Sequence, residues 1–185
     1  MQNRAHQDES RAQRLHRLQK GPPVEAIDTL LNSIANFFNN EIRLTPDYYQ
    51  SSLMFLRIHA SALTIAEAFW DTTGVKGYKE FLETFVDGDT PGTRFSTISE
   101  SIHDWRNVLA HQWIGSIGHQ IDYDYDMDSG WEAHDDTIVI NPAVYCAAYL
   151  EAFAHDGRIW KYASLFTGGE LENIKERIIR KYQEQ

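Results

Sequence analysis

The chain has 185 residues, of which 42% are hydrophobic, and its formal net charge is −10. This length is typical of one domain, and five Trp, nine Tyr and nine Phe residues can fill a core, which excludes global disorder. The negative charge excludes broad coating of nucleic acid, which needs a basic surface, and we expect no DNA partner. The single cysteine excludes an internal disulfide and a CxxC zinc site.

Residues 1–21 are predicted to form a basic, flexible arm or a solvated helix ahead of a helical domain over residues 22–185. Residues 1–20 carry five basic and two acidic side chains, and the arm lacks the apolar region of a secretory signal. The most apolar stretch, residues 58–70, contains His59 and Glu67 and is too short to span a bilayer. We therefore expect a cytoplasmic protein without a membrane partner.

Three helices are predicted in the first half of the domain. Apolar residues at helical spacing predict an amphipathic helix over residues 24–40. Thr45-Pro46 is typical of a helix start, and this second helix can run to residue 73 with Gly74 as its stop. Its apolar residues point to nearly every side, so we expect a central helix covered by neighbours or by a second subunit. A shorter helix is predicted over residues 78–86.

The second half of the domain contains helices and one segment in which apolar residues recur at every second position. A helix is predicted over residues 93–111. Ile121, Tyr123, Tyr125 and Met127 then alternate with aspartates, which predicts a strand that turns at Ser129-Gly130 and returns over residues 137–140 as a β-hairpin. Asn141-Pro142 predicts the start of another helix, with breaks at Gly157 and Gly168-Gly169 before the last one. The predicted fold class is mainly α-helical, with a β-hairpin inserted near residues 119–140.

The aspartates at positions 122, 124, 126 and 128 suggest a calcium loop. Such a loop requires glycine at its sixth position and glutamate at its twelfth, and no starting point in this segment satisfies both. We expect a solvated strand face, with a weak cation site as the alternative. His119, His134 and His155 lack the helical spacing of a metalloprotease and are predicted to lie on the surface. Cys146 is predicted to lie in the core.

The strongest candidate for a functional site lies at the end of the helix over residues 93–111. Arg106 is followed directly by Asn107, and His111 closes the helix after an apolar step. Asn107 and His111 are four residues apart and share a face of the helix, with Arg106 at the edge of that face. His103 lies one turn before Asn107. An arginine and a histidine at the spacing of Arg106 and His111 occur readily by chance. The prediction therefore rests on their place at the end of an amphipathic helix.

The group Arg106, Asn107 and His111 resembles the motif of the HEPN superfamily, in which an arginine precedes a histidine by four to six residues. The motif covers residues 106–111 only, although the helical order over residues 24–182 is compatible with the four- or five-helix bundle of that family. The predicted hairpin would be an insertion after the motif helix. Many HEPN proteins are metal-independent endoribonucleases that work as dimers, so the resemblance implies RNA as substrate, a homodimer and no cofactor.

The resemblance also implies a role for each residue. His111 would be the general acid or base, because histidine exchanges protons near neutral pH. Arg106 would bind the scissile phosphate through its planar guanidinium group, and Asn107 would orient His111 or a phosphate. His103 and Trp113 would bind substrate, as support and as a stacking platform. A toxin or defence protein held in check by a protein partner, such as an antitoxin, fits this description.

A non-catalytic interpretation accounts for the same residues. Arginine and histidine are favoured in the last turns of any helix, where cations offset the negative end of the dipole. Trp105 and Leu109 are predicted to lie in the core. The alternative function is therefore a helical dimer that binds a protein partner or a nucleotide.

Overall fold

The computed structural model describes residues 10–39, 52–112 and 121–184, and only the backbone of residues 52–53, 108–112 and 184. Within these ranges the chain forms eight α-helices: α1 (Arg11–Lys20), α2 (Pro23–Phe37), α3 (Ser52–Trp70), α4 (Gly74–Phe81), α5 (Ser99–Gln112), α6 (Pro142–Ala152), α7 (Arg158–Ala163) and α8 (Gly168–Glu184). Three short strands, β1 (Ile121–Tyr123), β2 (Trp131–His134) and β3 (Thr137–Ile140), form one sheet. The prediction of a mainly α-helical fold is confirmed.

The predicted arm is helical and packed from Arg11 onwards. Ser10 caps α1, because its hydroxyl accepts from the Gln13 amide while the Gln13 side chain accepts from the Ser10 amide. Leu18 is fully buried, and α1 packs against α2 and α8. Of the two predicted alternatives, residues 11–20 form the helix and not the flexible arm, and the burial of Leu18 anchors this short helix. The first nine residues lie outside the described ranges.

Helix α3 is the central element, as predicted from its apolar sequence. It packs against α4, α5 and α8, and Ala60 is its only exposed residue among positions 54–70. The predicted start at Thr45-Pro46 lies outside the described residues, and the predicted stop at Gly74 is wrong. The helix ends at Trp70 because Asp71 adopts the left-handed conformation, with φ of 55°, and Gly74 instead opens α4 with φ of 62°.

A side chain from α8 completes the end of α3. The guanidinium group of Arg177 donates hydrogen bonds to the carbonyl oxygens of Ala68, at 2.8 Å, and Phe69, at 3.1 Å. The last carbonyl groups of a helix have no partner within the helix, so these bonds satisfy two of them. The contact links the C-terminal helix of the chain to its central helix.

The region between α3 and α5 follows the prediction with local changes of helix type. The helix predicted over residues 78–86 begins earlier, as α4, and continues as a π-helical turn over Leu82–Val86. The helix predicted over residues 93–111 begins with the 3₁₀ turn Phe95–Ile98 and becomes α-helical at Ser99. The predicted motif therefore lies on α5.

The predicted hairpin is wrong in its pairing. Strand β3 pairs antiparallel with β2 through a two-residue turn, in which Asp135 has φ of 51°, and pairs parallel with β1 on its other side. Gly130 does not make the turn; a side chain there would clash with the ring of Phe95 and the carbonyl oxygen of Gly92. The alternation of residues 121–127 predicted a strand but could not identify its partner, since period two is common to parallel and antiparallel strands.

The helix start predicted at Asn141-Pro142 and the break predicted at Gly157 are confirmed, whereas Gly168 and Gly169 are the first residues of α8 and do not precede it. Asn141 is the N-cap of α6, with Pro142 in the first turn, and its Oδ1 atom accepts from the amides of Ala143 and Val144. Its Nδ2 atom donates to the Met127 carbonyl oxygen at 2.7 Å. Asn141 therefore caps α6 and also ties the loop after β1 to this helix.

Three tyrosines form a polar cluster inside the aromatic core. Tyr78, Tyr145 and Tyr149 are fully buried, and their hydroxyl groups hydrogen-bond to one another in a closed set. Burial raises the pKa of all three phenols, so each remains a neutral donor and acceptor. The set joins α4 to α6 across the core.

We predict that Asn141→Ala lowers the free energy of unfolding by about 2 kcal/mol, roughly one for the lost cap and one for the lost bond to Met127. Asn141→Ser keeps a capping hydroxyl but lacks the amide that reaches the loop, so it should lose about half as much. Urea denaturation of both variants measures the two contributions. Equal losses in both variants would show that the cap does not stabilise α6.

Candidate functional site

The candidate site forms where α5 lies against α3. Ile102 and Trp105 bury one face of α5, and the Trp105 ring meets the Phe55 ring of α3 edge-on at a centroid distance of 5.0 Å. Side chains on the adjoining faces are half-buried, including His103 and Arg106. The apolar stripe of α5 thus fixes the rotation of the helix and holds its polar residues at the margin of the core.

His103 is bonded to a second histidine that lies on α3. The Nε2 atom of His59 lies 2.9 Å from the Nδ1 atom of His103, so one of the two nitrogens donates and the other accepts. His59 is only 1% exposed, and its ring packs on that of Tyr78 at a centroid distance of 4.3 Å. The pair therefore extends from the core to the half-buried surface of α5.

Arg106 is held by its neighbour on the same helix. Its Nη1 atom donates to the Oδ1 atom of Asn107 at 2.7 Å. The Nε atom of Arg106 is buried and has no hydrogen-bond partner among the described residues. A guanidinium group fixed in this way presents its remaining N–H donors in a defined direction, which suits the recognition of phosphate oxygens.

The electrostatics of the site keep both histidines neutral. The pKa of His59 is lowered to about 3, mainly by burial, with smaller contributions from the charge of Arg106 and from the neighbouring His103. Burial and Arg106 also lower the pKa of His103, while Asp104 raises it. At pH 7 the positive charge of this group therefore rests on Arg106, with two neutral imidazoles beside it.

The structure brings three of the five predicted site residues together. His103, Arg106 and Asn107 lie on one part of α5, whereas His111 is in its last turn with a side chain outside the described set. Trp113 also lies outside the described residues. The role of Asn107 in orienting His111 or a phosphate stays a prediction, and the observed partner of the Asn107 Oδ1 atom is Arg106.

His59 was not predicted as a site residue from the sequence. The feature of the sequence that could have identified it is that a single histidine lies in an otherwise apolar helical stretch, between Ile58 and Ala60. A histidine in such a place can equally be a satisfied core residue, and its partner is 44 positions away in the chain. The pairing could be found only after α3 and α5 were packed together.

The surroundings of the other candidate residues differ from those of the site on α5. Cys146 is buried against the sulfur atom of Met54, and burial raises the pKa of its thiol, so the reactive thiolate is disfavoured. The side chains of His134 and His155 are exposed, as predicted. The aspartates at positions 122, 124, 126 and 128 are all exposed, and no group of three or more metal-ligating side chains occurs in the described ranges.

No protein-family model, no curated protein and no solved structure matches this chain. Over the part of the chain that the structure covers, no helix is both long and apolar enough to cross a membrane. The residues around α5 and their chemistry are therefore the basis for inferring a function.

We predict opposite effects of two neighbouring substitutions on His103. Arg106→Gln removes a positive charge and should raise the pKa of His103 towards its usual value, whereas Asp104→Asn removes a negative charge and should lower it. NMR titration of the His103 ring protons measures both changes. Shifts of the same sign in the two variants would contradict this account of the site.

We also predict that His59 makes folding sensitive to acid. The unfolded chain takes up a proton on this histidine near pH 6.5, while the folded chain does so only near pH 3, so stability falls as pH decreases between these values. The loss from pH 6.5 to pH 5 should be about 2 kcal/mol. Urea denaturation at pH 7 and pH 5 should show a smaller difference for His59→Phe than for the wild type.

The matched control for this experiment is His155→Ala. The His155 side chain is 96% exposed, so it loses little hydration on folding, and the variant should keep the pH dependence of the wild type. An unchanged pH dependence in His59→Phe would show that His59 is not held neutral in the folded chain.

Proposed function

We propose that the chain is a metal-independent endoribonuclease of the HEPN type, acting as a homodimer in the cytoplasm. The observation that supports this proposal is the arrangement on α5. Arg106 is fixed by Asn107, two neutral histidines lie beside it, and His111 occupies the last turn of the same helix. This set contains a cation suited to binding phosphate and, in His111, a residue type that can exchange protons near neutral pH.

The proposed reaction uses the 2′-hydroxyl of RNA as nucleophile. A base takes the proton of this hydroxyl as its oxygen bonds to phosphorus, and an acid gives a proton to the departing 5′-oxygen. The products are a 2′,3′-cyclic phosphate and a free 5′-hydroxyl, so no water or metal is consumed in this step. Arg106 would stabilise the charge that develops on the non-bridging phosphate oxygens.

Dimerisation would supply the second proton-transferring group. One chain contributes one His111, whereas the reaction needs an acid and a base at the same time. In a two-fold dimer whose α5 helices meet, two copies of Arg106 and His111 would line one cleft. A protein partner such as an antitoxin, covering this cleft, would keep the enzyme inactive.

A second function is supported by the inward orientation of part of the Arg106 side chain. Its Nη1 atom is bound to the next residue of its own helix and its Nε atom is buried, as expected of an arginine that packs against its own helix and binds no ligand. On this account the chain is a non-catalytic dimer that binds a protein or a nucleotide. Arg106→Ala would then change stability or partner binding without affecting any turnover.

We predict that the wild type cleaves a mixed RNA substrate in the presence of excess chelator and that His111→Ala does not. Loss of an acid or base of this kind lowers a rate by about 10²- to 10⁴-fold. Gel analysis of the products, with detection of 2′,3′-cyclic phosphate ends, measures the reaction. His155→Ala is the matched control and should cleave like the wild type.

The possible results separate the two functions. Cleavage that survives His111→Ala would contradict the assignment of His111. Absence of cleavage by a folded dimeric wild type would favour the binding module, and a thermal shift with a mononucleotide would then identify a nucleotide ligand.

A further inference from the structure

The bond between His59 and His103 determines what His103 can do. Because the Nδ1 atom of His103 is bonded to His59, Nε2 is the nitrogen that remains for a ligand. His59 is buried in the core, whereas His103 is half-buried on the same helix as Arg106. We propose that His59 is a positioning residue that holds His103 as a neutral Nε2–H donor for a phosphate oxygen of RNA, beside Arg106.

The surroundings of the Nδ1 atom of His59 decide which of the two histidines donates the hydrogen bond. If His103 donated to His59, His59 would carry its own proton on Nδ1, a buried atom without a partner among the described residues. An unpaired buried N–H group is rarer in proteins than an unpaired acceptor. His59 therefore donates from Nε2 and leaves Nδ1 as the acceptor, so His103 accepts on Nδ1 and carries its proton on Nε2.

The bond from His59 makes His103 unsuited to acid–base work. Burial and the charge of Arg106 both lower the pKa of His103, and its one basic nitrogen is occupied by the bond from His59. A neutral imidazole can still donate a strong hydrogen bond to an anionic oxygen, and enzymes use this form to polarise substrates. The inference rests on the proposed function, and within it His103 binds phosphate while proton transfer is left to His111.

Packing around His59 supports a positioning role. Its ring contacts Tyr78, whose hydroxyl belongs to the buried tyrosine set, and its Nε2 atom reaches across to α5. The ring is thereby immobilised from the core side. A donor held in this way fixes both the tautomer and the orientation of His103, as second partners of functional histidines commonly do.

The first test is the tautomer of His103, measured by NMR on protein with ¹⁵N-labelled histidine. The wild type should show the proton on Nε2 and a bare Nδ1. His59→Gln keeps an amide donor close to the position of Nε2 and should preserve this tautomer, whereas His59→Phe keeps a packed ring without a donor and should give a mixture. Tyr78→Phe is the packing control and should leave the tautomer of His103 unchanged.

The second test is RNA cleavage by the same proteins. His59→Phe should lower kcat/KM by about tenfold, consistent with the loss of one positioned hydrogen bond, and His59→Gln should recover most of the activity. Equal cleavage by His59→Phe and the wild type would overturn the positioning role. A wild type with its proton on Nδ1 of His103 would overturn the proposed direction of the bond, whether or not His59→Phe folds.

The two measurements fail independently. If the wild type does not cleave RNA, the proposed function falls, while the NMR result still decides whether His59 sets the tautomer of His103. If the tautomer is unaffected by His59→Phe but the wild type cleaves RNA, the further inference falls and the nuclease proposal stands.

Discussion

The fold depends on the need to cover α3 on all sides. Its side chains at positions 54–70 leave only Ala60 exposed, and burial of such a helix is the largest favourable contribution available to a small domain. Helices α4, α5 and α8 pack directly against it, and Arg177 of α8 satisfies carbonyl groups at its end. The other elements pack around these helices. The aromatic residues of α4 and α6 contact one another inside the core.

The same constraint creates the candidate site. An apolar central helix has no free position for an imidazole, so His59 must be neutral and bonded when α5 covers it. His103 is the partner that α5 supplies. Arg106 lies about one turn further along α5, close enough for its charge to lower the pKa of both histidines. Structure and electrostatics at this point therefore have a common cause.

Local signals in the sequence were sufficient where short-range physics decides the structure. Asn141-Pro142 gave the start of α6 because a cap and a proline act within one turn, and the apolar stripe over residues 24–38 gave α2. Long-range pairing was not predictable in this way. The parallel pairing of β1 with β3, the packing of α1 against α8 and the bond between His59 and His103 each join distant parts of the chain. The residues of the candidate site on α5 were therefore predicted from the sequence, whereas His59 on α3 was not.

The acidic character of the chain limits how RNA could be held. With a net charge of −10, long-range attraction to phosphates is unfavourable, so binding would have to rely on short-range contacts at one point. Neutral histidines suit such a site, because they donate hydrogen bonds without the repulsion that two more cations beside Arg106 would suffer. A two-fold dimer would double the number of arginines in the cleft without changing the charge of the remaining surface. For the proposed nuclease, this charge distribution favours specific recognition of a folded or single-stranded RNA element over affinity for any RNA.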